Sequence, residues 1–184
     1  DCSVVDHSVP PWSPTELMND HSRVEQLIGR PPQSAFDVVV RDGSGDPVVL
    51  RNAPFLDDGT PMPTRYYLVG PDLVRAVSRI EAAGGVRSAE REINDTEITM
   101  THRAYGAERD AAIPTNHDGP RPSGGVGGTR RGVKCLHAHV AHLLAGGDDA
   151  VGRWTLAHLG DDRCVLDGLV PPAPLVGLID KETS

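Results

Sequence analysis

The run "FDVVVRDGSGDPVVLRNA" (Phe36–Ala53) commits this chain to a β-sheet. Its two halves are rich in valine, whose branched Cβ is stiff in a helix and packs well on a pleated surface. Between them stands "DGSGDP", a cluster of turn-forming residues, so the segment reads as a hairpin. A lone hairpin is marginal in water, and a third strand is at hand in "RYYLVG" (Arg65–Gly70), beyond the irregular loop "APFLDDGTPMPT". Three strands must still bury a face against another layer, and the rest of the chain reads as helices. The expected fold is therefore α+β: a small three-stranded antiparallel sheet packed against several helices, with the helices on one side.

Several helix boundaries are readable. "SPTE" (Ser13–Glu16) is a capping-box pattern that starts a helix running to about Ile28, with a possible restart at Asn19 or Asp20. Pro71 opens a helix that Gly84-Gly85 ends, "VRSAEREI" is a short one, and "NDT" breaks it and caps the helix Glu97–Ile113. "DDAVGRWTLAHLG" is a further helix, and "RCVLDGLV" reads as a strand or extended segment. This divides the chain into a loose tail (1–12), one domain (13–160) and a C-terminal extension (161–184).

The 184 residues suffice for one core, but aromatics are only 4%, so Ala, Val and Leu must fill it. A formal net charge of -8 argues against nucleic acid or an anionic membrane as partner. No apolar run approaches the ~20 residues that span a bilayer. Cys2, Cys135 and Cys164 form no C-x-x-C pair and no disulfide framework, and the N-terminal residues lack a signal-peptide pattern, so the default compartment is the cytoplasm.

The chemistry concentrates in "GVKCLHAHVAHLLAGG" (Gly132–Gly147). Read as one helix from Gly132 to about Ala145, it places Val133, Leu136, Val140, Leu143 and Leu144 on a core stripe. Cys135, His139 and His142 share a neighbouring stripe, His137 lies on the opposite flank, and Lys134 points to solvent. Such spacing lets at most two of these side chains hold one ion, so no metal is expected. Three readings stay open: a buried cysteine with histidines bordering the core, a site that uses Cys135 or His142 in chemistry, and a metal site completed from elsewhere. Upstream, "SGGVGGTRRGVK" sets a glycine-rich loop, Arg130, Arg131 and Lys134 before a helix start, which suits a bound anion, although the spacing is not that of a P-loop.

Other motifs say less. "FLDDGT" lacks the D-x-D-x-T spacing of aspartyl phosphatases and reads as a turn at Asp58-Gly59. Ile98, His102, Tyr105, Arg109 and Ile113 share one helical stripe, expected to cover the edge of the core with polar tips outward.

"APFLDDGTPMPTRYYLVGP", "HRAYGAERDAAI" and "SGGVGGTRRGVKCLHAHVAH" together resemble the bacterial family known as domain of unknown function 501, over roughly Val24 to Leu159. The resemblance brings no activity with it. By motif it points to Asp58, Gly59, Thr60, Pro61, Pro63, Thr64, His102, Ser123, Gly124, Gly125, Lys134, Cys135, His137 and His142. Where relatives carry cysteine in the first hairpin this chain has "RDGSGDP", which weakens a shared zinc site, and His139 stands where relatives have an aliphatic residue.

The expectation is a small cytoplasmic protein with a polar pocket walled by the proline-rich loop, the glycine-rich loop and the Cys135 helix. It would bind a small anionic or phosphorylated ligand through Asp58, Thr60, Thr64, His102, Ser123, Gly124, Gly125, Arg131 and Lys134, with Cys135, His137 and His142 available for catalysis. Which cofactor it uses, if any, is not written in the sequence. The alternative is a non-catalytic interaction module in which Cys135 and the histidines are structural.

Overall fold

The computed structural model describes residues 20–170. The chain runs α1 (Asp20–Ile28), β1 (Phe36–Arg41), β2 (Pro47–Asn52), β3 (Tyr66–Leu68), α2 (Pro71–Ala82), α3 (Gly85–Glu92), α4 (Asp95–Ala111), α5 (Leu136–Leu144) and α6 (Ala150–Ala157). A short 3₁₀ turn, Val126–Gly128, lies in the glycine-rich loop, and a 3₁₀ segment, Gly160–Leu166, follows α6. The capping box at Ser13–Glu16 and the tail 1–12 lie outside the described residues, as does the chain beyond Val170.

The fold is α+β, and the sheet is antiparallel in the order β1-β2-β3. Val38 stands opposite Leu50, and Val49 opposite Leu68. Neighbouring residues of a strand point to opposite faces, so Val49 and Leu50 report two different environments. Val49 joins the main cluster with Leu68, Val77, Tyr105, Leu136 and Val140. Leu50 packs instead with Val24 of α1 and Val69. The sheet is thus covered on both faces rather than one. With one residue in six or so of β2 facing water at most, the polar-out alternation that would have announced a half-exposed sheet is missing from its sequence.

Caps fix the later helices. The Asn94 side chain accepts from Thr96 N at the start of α4, and Asp149 accepts from Gly152 N at the start of α6. "RCVLDGLV" is not a strand: its first half, Arg163–Leu166, lies in the 3₁₀ segment Gly160–Leu166, and only Val170 pairs with the sheet edge, at Arg41. Val165, Leu166 and Leu169 pack on the main cluster, and Arg79 of α2 pairs with Asp162. Residues on both sides of position 160 thus contribute to the same packed cluster. Among the described residues no helix is long and apolar enough to cross a membrane.

Candidate functional site

The stripe on α4 faces inward. Ile98, His102, Tyr105, Arg109 and Ile113 are all buried, so the expectation that their polar tips reach outward is overturned. Each polar tip has a backbone partner in one of the two irregular loops. Tyr105 Oη donates to Pro63 O (3.0 Å) and accepts from Arg65 N (2.5 Å), pinning the proline-rich loop. Burial pushes its phenol up to about 12. Arg109 donates to Gly124 O (2.6 Å). His102 Nδ1 accepts from Val126 N (3.1 Å), which leaves the proton on Nε2 to be donated to Gly132 O (2.9 Å). Burial holds this imidazole below its ordinary pKa, in keeping with that neutral tautomer. Gly125 lets the loop come this close, since a Cβ there would lie 2.3 Å from His102 Nδ1. The two loops meet where Gly128 packs on Pro63.

The helix start differs from its sequence reading in a way that matters for anion binding. Residues Gly132 to Cys135 are not helical, and Cys135 is the N-cap of α5 with extended backbone (φ -160°, ψ 125°). The N–H of Leu136 is taken by Glu81 Oε1 of α2 (2.5 Å), and that of Val133 by Glu90 Oε1 of α3 (2.8 Å). Two carboxylates from other helices already occupy the place where an external anion was expected. Lys134 and Arg131 are exposed, and Lys134 Nζ donates to Gly127 O.

Because Cys135 precedes the helix, it does not share a stripe with His139 and His142. It meets His137 instead, which had been placed on the opposite flank: Cys135 Sγ lies 3.6 Å from His137 Nδ1. Glu81 Oε1 lies 3.2 Å from the same nitrogen. His137 Nε2 lies 3.1 Å from Val74 O and 3.1 Å from Ser78 Oγ. A carbonyl can only accept, so Nε2 carries a proton, and Nδ1, between the sulfur and a carboxylate oxygen, is the nitrogen that gains or loses one. Burial pulls the His137 imidazole down, but Cys135 and Glu81 beside it outweigh this and carry it to about 9. All three residues are half-buried, so solvent reaches the cluster.

His139 and His142 form a second, closed cluster. Both are 0% exposed, as is Asp149. Asp149 accepts from His139 Nδ1 (2.9 Å) and from His142 Nδ1 (2.9 Å) while it caps α6 through Gly152 N (2.8 Å). Burial favours a neutral Asp149, but these donors prevail and hold it down at about 2. Burial likewise lowers His142, yet Asp149 and Glu108 raise it to about 9. The His142 ring stacks on Tyr66 and meets the edge of Tyr105. Its Nε2 is 3.5 Å from Glu108 Oε1, and His139 Nε2 has no hydrogen-bond partner among the described residues.

The structure thus separates the residues that the sequence grouped. Cys135 and His137 converge with Glu81, whereas His142 is sealed in the core and shares no contact with Cys135. His102, Gly124 and Gly125 build the junction between α4 and the glycine-rich loop. Asp58 and Thr60 are exposed and close a turn on each other (Thr60 N to Asp58 Oδ1, 2.9 Å), which holds the Asp58 carboxyl below its usual range. Thr64 lends its carbonyl to Asn52, and Ser123 is exposed. One groove lies by α1 and β1 and another around Pro32 and Leu50, and neither is lined by Cys135. Reasoning from the sequence missed Glu81 and Asp149. The first reaches Cys135 from another helix, while the second could have been found as the cap residue in "GGDDAVG". Expecting no metal rested on donors within one helix, and that ground falls with the third donor, Glu81, coming from α2.

Comparison with curated proteins and with solved structures gives no match. The family described as "Protein of unknown function (DUF501)" matches residues 38–157, which include the whole sheet from Val38 onward, both loops, Glu81, Cys135 and Asp149. On that match, over more than half its length, the chain belongs to the DUF501 family.

Proposed function

We propose that this protein works through a thiolate centre in which Cys135 is the reactive group, His137 takes its proton and Glu81 faces the resulting imidazolium. The carrying observation is the 3.6 Å approach of Cys135 Sγ to a histidine nitrogen whose opposite nitrogen is committed to Val74 O. The proton moves from Sγ to Nδ1, and the negative sulfur is left at the N-terminus of α5, where the helix dipole favours it. The site serves a small ligand from solvent. A phosphate directly on the helix N–H groups is disfavoured by Glu81 and Glu90, so the anion-binding reading survives only for the exposed Arg131 and Lys134. A free thiol persists most readily in a reducing compartment, which supports placement in the cytoplasm.

Alkylation tests this reading, with Cys164, which is exposed, as an internal reference. In the reduced full-length chain, freed of metal by a chelator, iodoacetamide at neutral pH should label Cys135 at least tenfold faster than Cys164. His137→Gln should remove that advantage. Equal labelling rates in the parent would favour the interaction-module reading, in which Cys135 is structural.

A further inference from the structure

We infer that Glu81, Cys135 and His137 form a three-ligand site for one divalent transition ion of the zinc class, with the fourth position open to water or a small anion. The inference rests on the reading of these residues as the working centre and names what they hold. Zinc takes thiolate, imidazole and carboxylate, and sites with three protein ligands and an open position are the ones that act on bound molecules.

Three independent features support it. The first is distance. One Sγ, one ring nitrogen and one carboxylate oxygen all lie within 4.8 Å of one another. With zinc–sulfur near 2.3 Å and zinc–nitrogen or –oxygen near 2.0–2.1 Å, a tetrahedral ion sets S and N about 3.5 Å apart and N and O about 3.3 Å apart. The observed separations are 3.6 Å for Cys135 Sγ to His137 Nδ1 and 3.2 Å for His137 Nδ1 to Glu81 Oε1. The second is the outer contacts. A ligating histidine usually donates its other N–H to a carbonyl or carboxylate, and His137 Nε2 meets Val74 O. Glu81 Oε1 is oriented by Leu136 N, which uses one lone pair and leaves another for an ion. The third is charge. A carboxylate and a thiol converge on one ring nitrogen, Nδ1, so an ion in place of its proton would face two groups that are negative once the thiol ionises.

Titration of the reduced full-length chain with cobalt(II), then zinc, tests the site. One equivalent of cobalt should produce thiolate-to-cobalt charge-transfer absorption together with the intense visible bands of tetrahedral cobalt, and zinc should erase both. Cys135→Ser should abolish the charge-transfer band and Cys164→Ser should keep it. Glu81→Gln retains an acceptor for Leu136 N while removing the charge, so it should weaken cobalt binding at least tenfold with the circular dichroism spectrum unchanged. Zinc should protect Cys135, and not Cys164, from iodoacetamide. Absence of the charge-transfer band at excess cobalt, or its survival in Cys135→Ser, overturns the metal site. If Cys135 in the chelated protein still labels faster than Cys164 in that event, the thiolate reading stands alone; if it labels equally, both fall.

Discussion

Asp149 carries three bonds on one buried carboxylate: the cap of α6 and one bond to each of His139 and His142. Removing its charge strands two imidazoles in the core, so Asp149→Asn should cost about 3–5 kcal/mol, measured by urea unfolding at pH 6. The same cluster sets a pH window. His142 sits at about 9 in the fold against about 6.5 in an unfolded chain, so its contribution is complete below about pH 6.5 and is lost as pH rises through about 9. Asp149, at about 2 against about 3.9 unfolded, contributes fully above about pH 4 and loses this as pH falls toward 2. Stability from this cluster should therefore be greatest between about pH 4 and 6.5, and the urea midpoint should drop from pH 6 to pH 9. His142→Gln should flatten that drop; a midpoint that rises over the same range would show that His142 folds uncharged. Gly147 belongs to this cluster too, since a Cβ there would stand 2.0 Å from His142 Nε2.

At the scale of elements, α4 acts as a spine that holds two loops by their backbones. Tyr105→Phe leaves Pro63 O and Arg65 N without their partner in a part-buried setting and should cost about 1–2 kcal/mol. Hydrogen exchange of Arg65 N should accelerate in that variant, and unchanged protection would show that the loop is held by packing alone. The α5 face assignment is tested in the same experiments. Leu136 and Val140 are each 0% exposed, and their replacement by Ala should destabilise by roughly 1–4 kcal/mol. Lys134→Ala, at an exposed position outside the helix, should stay within about 0.5 kcal/mol.

For the whole molecule, the segment after α6 is structural. Val170 and Arg41 exchange both backbone bonds (2.8 Å and 3.3 Å), and Leu166 and Leu169 pack on the main cluster. A chain ended at Leu159 should melt several degrees lower and bind a dye for exposed apolar surface. An unchanged melting temperature for the shorter chain would support the domain boundary at 160.

What the sequence determined by itself is local. The hairpin, the third strand, the Asn94 cap and the grouping of Ile98, His102, Tyr105, Arg109 and Ile113 on one face of α4, though not the burial of their polar tips, follow from propensities and periodicities that neighbouring residues impose on one another, and those are written within a few positions. Tertiary structure decided what depends on charges from distant parts of the chain. Residues Gly132 to Cys135 have the composition to begin α5, but Glu90 and Glu81 capture the N–H groups of Val133 and Leu136 and hold the chain extended through Cys135. That one change of conformation turns Cys135 away from the stripe of His139 and His142 and toward His137. A carboxylate 54 positions upstream of Cys135 leaves no periodic trace around that cysteine, so the Glu81–Cys135–His137 cluster was legible only once α2 and α5 were packed together.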